Sequence, residues 1–450
     1  MKIKIVLFFT LLALFGCASY NSKPLPDKPL WPQDISRLQL PDQISSTQIG
    51  IQHEFNPNNG LDVIEVATIA IANNPGLKQA RDSAGVTKAQ AFNAGLLPDP
   101  TLLIYPQPPI NGGPGANSVA SEYGLFYNIS ALITHSTVQH GVKSSEEKAD
   151  LDLLWQEWLL LSQSQILFEK IITNESLLTL LLDKETLLKN IESAQHKALV
   201  EKDLDLNTIA VNTIVLKETT KQVIDLKRAI AQDRSALNQM LGLSPDTHLV
   251  LVDSLTLPHL SKQQINHQLQ QLHHIRPDLL ALQKGYEAQD YRLREAILGQ
   301  FPAINFGYTR LRDNGAVIYN GFDLSVTLPI FNRNQGNVAI AQATRQQLYD
   351  EYQNRLNSSF SDVHQLTQDL DFLTNQMPVL LSSVDLLSQL SDSAHAAYQR
   401  QDMDLVAYGQ FKINEIDKKI ELVKTKQLWL EQAINLSMLI GEPLSNWVNK

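Results

Sequence analysis

The chain has 450 residues, of which 43% are hydrophobic and 19% charged, and its formal net charge is −10. Such a composition excludes a disordered chain, and the acidic balance argues against a nucleic-acid binder, which needs clustered Lys and Arg. No run of eighteen or more apolar residues offers a transmembrane helix, so any membrane crossing falls to β-strands.

In chain order, Lys2 and Lys4 precede an apolar run from Ile5 to Phe15, the pattern of a secretory signal over residues 1–16. The run ends in Leu14-Phe15-Gly16-Cys17, which resembles the bacterial lipobox and makes Cys17 the expected lipidation site. Cys17 is the only cysteine, so no internal disulfide and no cysteine-based metal site can form. Ala18 and Ser19 follow, with no aspartate after the cysteine, which predicts passage to the outer membrane. Residues 17–60, rich in Pro, Ser, Asn and Gln, read as a tether.

A first repeat is expected over 61–245. Val63, Ile64, Ala67, Ile71 and Ala72 have helical spacing, and Asn74-Pro75 interrupts the helix because proline disfavours a helical residue before it. Strands are expected at about 101–133. Thr101–Tyr105 is the first, and in the second, Tyr123–Ile133, the residues Tyr123, Leu125, Tyr127 and Ile129 alternate with Gly124, Asn128 and Ser130, while Phe126 breaks the pattern. Long helices follow at about 137–242. Ile209, Leu216, Val223, Ile230 and Leu237 recur every seventh residue, the mark of helices packed along a seam. Leu241-Gly242-Leu243-Ser244-Pro245 supplies a stop.

After a connector at 246–275, a second repeat is expected over 276–443. Arg276-Pro277-Asp278 opens a helix to Gln300. Strands at about 302–330 carry the clearest alternation. Ile304, Phe306 and Tyr308 oppose Asn305, Gly307 and Thr309, and Phe322, Leu324, Val326 and Leu328 oppose Asp323, Ser325 and Thr327. Arg312-Asp313-Asn314-Gly315 supplies the turn, because Asn-Gly tolerates positive φ. Each arm has about ten residues, the length a tilted membrane strand needs. Long helices are expected at about 334–441, with heptads at Tyr349, Leu356, Val363, Leu370 and Met377; Pro378 predicts a kink or break. Residues 444–450 form a tail.

One offset of 199 positions lays His196 on His395, Asp203 and Asp205 on Asp402 and Asp404, and Gly242 on Gly441. The chain therefore reads as two tandem copies of helix, β-hairpin, long helix, long helix. A segment of about sixty helical residues reaches on the order of 90 Å and must lie against other long helices. Four strands cannot close a membrane barrel, which needs about eight or more. The chain must then oligomerise, two copies giving eight strands and three giving twelve. Polar residues such as Asn305, Asp323, Ser325 and Thr327 would line a water-filled lumen.

These features resemble the TolC-type outer-membrane efflux channel family, in its lipid-anchored form. The resemblance spans roughly 61–443 and rests on Asn74-Pro75, Leu97-Pro98, Arg276-Pro277-Asp278, Phe301-Pro302, the Gly321–Asn337 stretch and the paired helix stops, in order behind a lipobox. It implies a mainly α fold with membrane β-structure: a homotrimer with one twelve-stranded barrel in the outer membrane, continued by an α-helical barrel through the periplasm. It also implies docking of the helix-turn tips onto a periplasmic adaptor (membrane fusion protein) that joins an inner-membrane pump. The family's tips often read aromatic, two residues, glycine. Tyr398-Gln399-Arg400-Gln401 fits except that Gln401 replaces glycine; in the first copy Lys202 takes that place and Leu199 replaces the aromatic.

No Walker loop, GxSxG or HExxH motif is present, and His135, His140, His273 and His274 lack ligand partners at metal spacing. No catalytic residue, cofactor or metal is expected. Asp203, Asp205, Asp402 and Asp404 would ring a periplasmic aperture in three copies, or serve as helix caps. The expected function is a passive export duct for small molecules or ions; the competing reading is a lipid-anchored coiled-coil scaffold or adaptor without a pore.

Overall fold

The computed structural model describes residues 19–38, 44–45, 52–53, 59–110, 118–200, 206–253 and 261–441. The leader, Cys17, Asp203, Asp205 and the expected tail lie outside the described residues.

Helix α1, Val63–Asn73, starts from a reciprocal cap. The Asp62 carboxylate accepts from the N–H groups of Ile64 and Glu65, and the Glu65 carboxylate accepts from Asp62 N–H. It stops at Asn74, whose side chain then caps α2, Pro75–Ala94, by accepting from Leu77 N–H at 2.8 Å. The Asn74 amide also donates to the Met240 carbonyl at 2.8 Å, tying this corner to the end of a helix far along the chain.

Strands β1, Thr101–Gln107, and β2, Ala120–Asn128, lead into α3, Ile129–Val200, and α4, Leu206–Met240. The second arm of this hairpin is shorter than the alternation predicts, since Ile129–Ile133 belong to α3. Ile129 and Ile133 are four apart, a spacing that satisfies both a strand and a helix, so the pattern alone cannot separate them. The Ser130 hydroxyl accepts from Ile304 N–H at 2.8 Å and seals the end of the sheet.

The expected connector contains a helix, α5, Lys262–Ile275, capped reciprocally by Ser261 and Gln264. Helix α6, Pro277–Leu298, follows, then β3, Ala303–Arg312, β4, Ile318–Thr327, α7, Gln335–Gln399, and α8, Leu405–Ile440. The 72 residues of α3 extend about 108 Å and the 65 of α7 about 98 Å. α4 and α8 are only 35 and 36 residues long, so each pair is a long helix with a half-length partner. Helix α7 runs unbroken through Pro378, which lies on an exposed face.

The half-length helices explain the packing. Toward the sheet, helices lie in the row α2–α3–α6–α7; away from it, the row is α4–α3–α8–α7. The two long helices run through both rows. All five heptad residues of α4, from Ile209 to Leu237, are buried, as are Leu181, Leu188 and Ile191 of α3. In α7, Val363 and Leu370 are buried, whereas Tyr349 is half exposed, its ring 6.4 Å from that of Tyr286.

Arg276, at the start of α6, is 2% exposed. It forks onto Asp278 with bonds of 2.9 and 2.7 Å and lies over the ring of Trp155 at 5.0 Å. Gly242 and Gly441 end α4 and α8 with φ of 74° and 69°. A β-carbon at Gly242 would come within 2.8 Å of the Asn73 carbonyl, at the end of α1, and one at Gly441 would press on Ile275, at the end of α5. The two stop signals read in the sequence therefore do the same work: each lets a helix end turn tightly against a helix that stops at an X-Pro corner.

Candidate conduit and tip

The sheet has the order β1–β2–β3–β4, antiparallel throughout. Its register puts Asn305 opposite Ser325, Gly307 opposite Asp323 and Ala303 opposite Thr327. Asn305, Asp323, Ser325 and Thr327 thus share one face. The other face carries Leu102, Ile104, Tyr123, Leu125, Phe306, Tyr308, Phe322, Leu324 and Val326, and all of these are at least 43% exposed. A soluble protein does not leave so large an apolar sheet face open. Phe126, which breaks the alternation, lies on the polar face, where its ring covers Gly307 and comes within 2.6 Å of where a β-carbon of Gly124 would stand. The missing side chains make room for the ring.

The turn of the second hairpin differs from the one expected. Asp313 N–H donates to the Val317 carbonyl at 3.0 Å, Ala316 N–H donates to the Asp313 carbonyl at 3.1 Å, and the positive φ, 67°, falls on Ala316 instead of on Asn314-Gly315. A tight turn followed by a left-handed residue closes a longer loop than a two-residue hairpin.

At the far end, α7 and α8 meet at Arg400–Asp404. Gln401 takes φ of 62°, its N–H donates to the Tyr398 carbonyl at 3.0 Å, and Asp402 N–H donates to the Ala397 carbonyl at 2.9 Å. This is the double-bonded C-terminal cap that glycine usually serves. Asp402 pairs with Arg400 at 3.0 Å, and Asp404 caps α8 by accepting from Ala407 N–H at 2.7 Å. Asp404 thus serves as a helix cap, whereas Asp402 is paired within the turn. Sequence reading missed the aromatic clasp behind them: Tyr398 and Tyr408 stack at 5.4 Å, with His395 5.2 Å from Tyr408. Its signal was two aromatics ten residues apart across a turn.

Among the described residues, no helix is long and apolar enough to cross a membrane, and no group of three or more His, Cys, Asp or Glu side chains could hold a metal ion. His140 instead stacks on Tyr291 at 5.3 Å. A sheet with one open apolar face, carried on helices about 100 Å long, has the build of an outer-membrane conduit protein.

Comparison with known proteins shows what the chain is similar to. The sequence is 25% identical to the "Probable outer membrane lipoprotein SilC" of Salmonella typhimurium, with 99% of each chain covered. It is 26% identical to the cation efflux system protein CusC of Escherichia coli K12 over 57% of each chain. The fold matches solved CusC with a TM-score of 0.66 at 16% identity, covering 94% of this chain and 99% of that one. It matches VceC of Vibrio cholerae with a TM-score of 0.67 at 13% identity, covering 84% and 96%. No family model matches the sequence. In sequence and in fold the chain is thus similar to outer-membrane efflux channel proteins of the TolC type.

Proposed function

We propose that three copies of this chain close into one passive, water-filled duct, with twelve strands in the outer membrane and a helical barrel below. The observation that carries this reading is that one chain is open at both ends of every layer. Among the described residues, β1 and β4 are each paired on one side only. The end helices also carry bare apolar side chains: Val211, Ile214 and Ile224 of α4 are at least 62% exposed, and Phe372, Val379 and Leu386 of α7 at least 57%. Pairing α7 of one copy with α4 of the next would cover both faces and continue the row into a ring. Unpaired strand edges are costly in lipid, which supports closure of the sheet in the same way.

In this arrangement Asn305, Asp323, Ser325 and Thr327 face the lumen, and the acyl chains on Cys17 hold the trimer in the membrane. The two halves, 61–245 and 276–443, arose as tandem copies. The tips around Asp203, Asp205, Asp402 and Asp404 form the periplasmic aperture and meet an adaptor that couples the duct to an inner-membrane pump. Export of small molecules or ions follows, with no chemistry performed by the chain itself. The test is single-channel conductance of the purified protein in a planar bilayer, combined with cysteine cross-linking between positions 211 and 379. Steady conductance and a cross-linked trimer are expected; absence of both overturns the reading in favour of a poreless scaffold.

A further inference from the structure

The four strands contain four charged residues: Glu122, Arg310, Arg312 and Asp323. The register sorts them by sign. Glu122 lies opposite Leu311 and Asp323 opposite Gly307, so both carboxylates fall on the polar face with Asn305. Arg310 and Arg312 fall on the apolar face, in line with Ile304, Phe306 and Tyr308, and that face holds no acidic residue. Both arginines are exposed, and among the described residues neither guanidinium makes an ion pair or a side-chain hydrogen bond. They are also confined to one end. Arg312 closes β3 beside the turn, whereas beyond the opposite end of the same face the chain continues into exposed Leu328, Ile330 and Phe331, with the next charge at Arg333.

From Ile304 to Arg312 the strand rises about 27 Å. At a tilt near 40° this spans roughly 20 Å of the membrane normal, which sets the arginines at the upper border of an apolar band about 25 Å tall. Two arginines on one face stand roughly 7 Å apart. Across the sheet each has one apolar and one polar neighbour: Tyr123 and Asn320 flank Arg310, and Ser121 and Ile318 flank Arg312. A bare cation above an apolar wall calls for a ligand with an acyl body and an anionic head, and the planar guanidinium fork suits phosphate.

We propose that Arg310 and Arg312 form a lipid-binding site for a phosphate-bearing glycolipid of the outer leaflet, one pair per copy around the barrel. The proposal rests on the barrel reading above, since it requires the apolar face to meet lipid. It also gives the barrel a vertical reference, because cations fixed at the loop end resist sinking into hydrocarbon.

The experiment titrates bisphosphorylated lipid A into the full-length protein in neutral detergent and counts bound lipid by native mass spectrometry. Wild type is expected to bind with about tenfold higher affinity than an R310Q/R312Q variant, the loss of two charge-assisted contacts. R333Q, which removes an exposed arginine at the opposite end, is expected to bind like wild type. Lipid A stripped of its phosphates should abolish the difference, and added inorganic phosphate should not compete. Equal binding by wild type and R310Q/R312Q, or equal loss in R333Q, overturns the site; competition by inorganic phosphate overturns the lipid as its ligand. Conductance in neutral lipid is measured in parallel. R310Q/R312Q should conduct normally, and failure of the wild type to conduct removes the barrel reading itself, and this site with it.

Discussion

The ring of Phe126 in β2 lies over Gly307 in β3, against the space a β-carbon there would fill. These two residues join the hairpins from the two halves of the chain, since β2 and β3 form the central pair of the sheet.

That contact predicts a steric cost. Gly307→Ala should destabilise the sheet by about 1–3 kcal/mol, because the ring cannot leave without exposing its neighbours. Pairing it with Phe126→Leu should recover part of the loss, an interaction that only touching residues show. Thermal melting of the purified protein, for both single variants and the double, reads this directly.

The tip predicts a gain. Gln401 holds φ of 62° with an ordinary side chain. Gln401→Gly should relieve the left-handed strain and stabilise the α7–α8 turn by about 0.5–1 kcal/mol. Amide exchange at Arg400–Asp402 should slow a few-fold, while Gly242→Ala, at φ of 74° against Asn73, should accelerate exchange at its own helix end.

Glu169 predicts a pH dependence. It is 5% exposed, its Oε1 finds no hydrogen-bond partner, and burial, with added repulsion from Asp253, pushes its carboxyl from 4.5 up to about 7. The folded state therefore holds its proton where the unfolded chain has released it. No penalty exists below about pH 4.5; it grows as pH rises toward 7 and is complete above that. Glu169→Gln should flatten this slope and raise stability at pH 8 by roughly 1–3 kcal/mol. A melting series from pH 5 to 8 in which the variant tracks the wild type would falsify the assignment.

Glu415 has the opposite sign. Burial opposes its charge, but hydrogen bonds from Lys419 at 2.5 Å and Lys412 at 2.9 Å, with Ser391, outweigh it and hold the carboxyl down to about 2. Its stabilisation is full above pH 4.5 and fades as pH falls through 2. Glu415→Ala should cost about 1–2 kcal/mol at neutral pH, less than a fully buried pair because both lysines reach water. The cost should shrink in acid, which urea midpoints at pH 7 and pH 3 would reveal.

Much of the architecture was legible in the residues themselves. Heptads at Ile209–Leu237, the Asn74-Pro75 and Arg276-Pro277 breaks, the glycine stops and the alternation of β3 and β4 are local patterns, set by periods of 3.5 and 2 and by the backbone limits of Pro and Gly. These determine long helices, where they stop, and which strand residues share a face. The tertiary structure decided what depends on partners distant in sequence. The end of β2 at Asn128 rests on Ser130 meeting Ile304, and the place of Phe126 rests on an empty site at Gly307. The division of charge between the two faces needs the register of β2 on β3, which no single strand encodes. The raised carboxyl of Glu169 needs the burial that helix packing creates. Period and backbone chemistry are written locally, whereas register, burial and charge environment exist only once the two halves have come together.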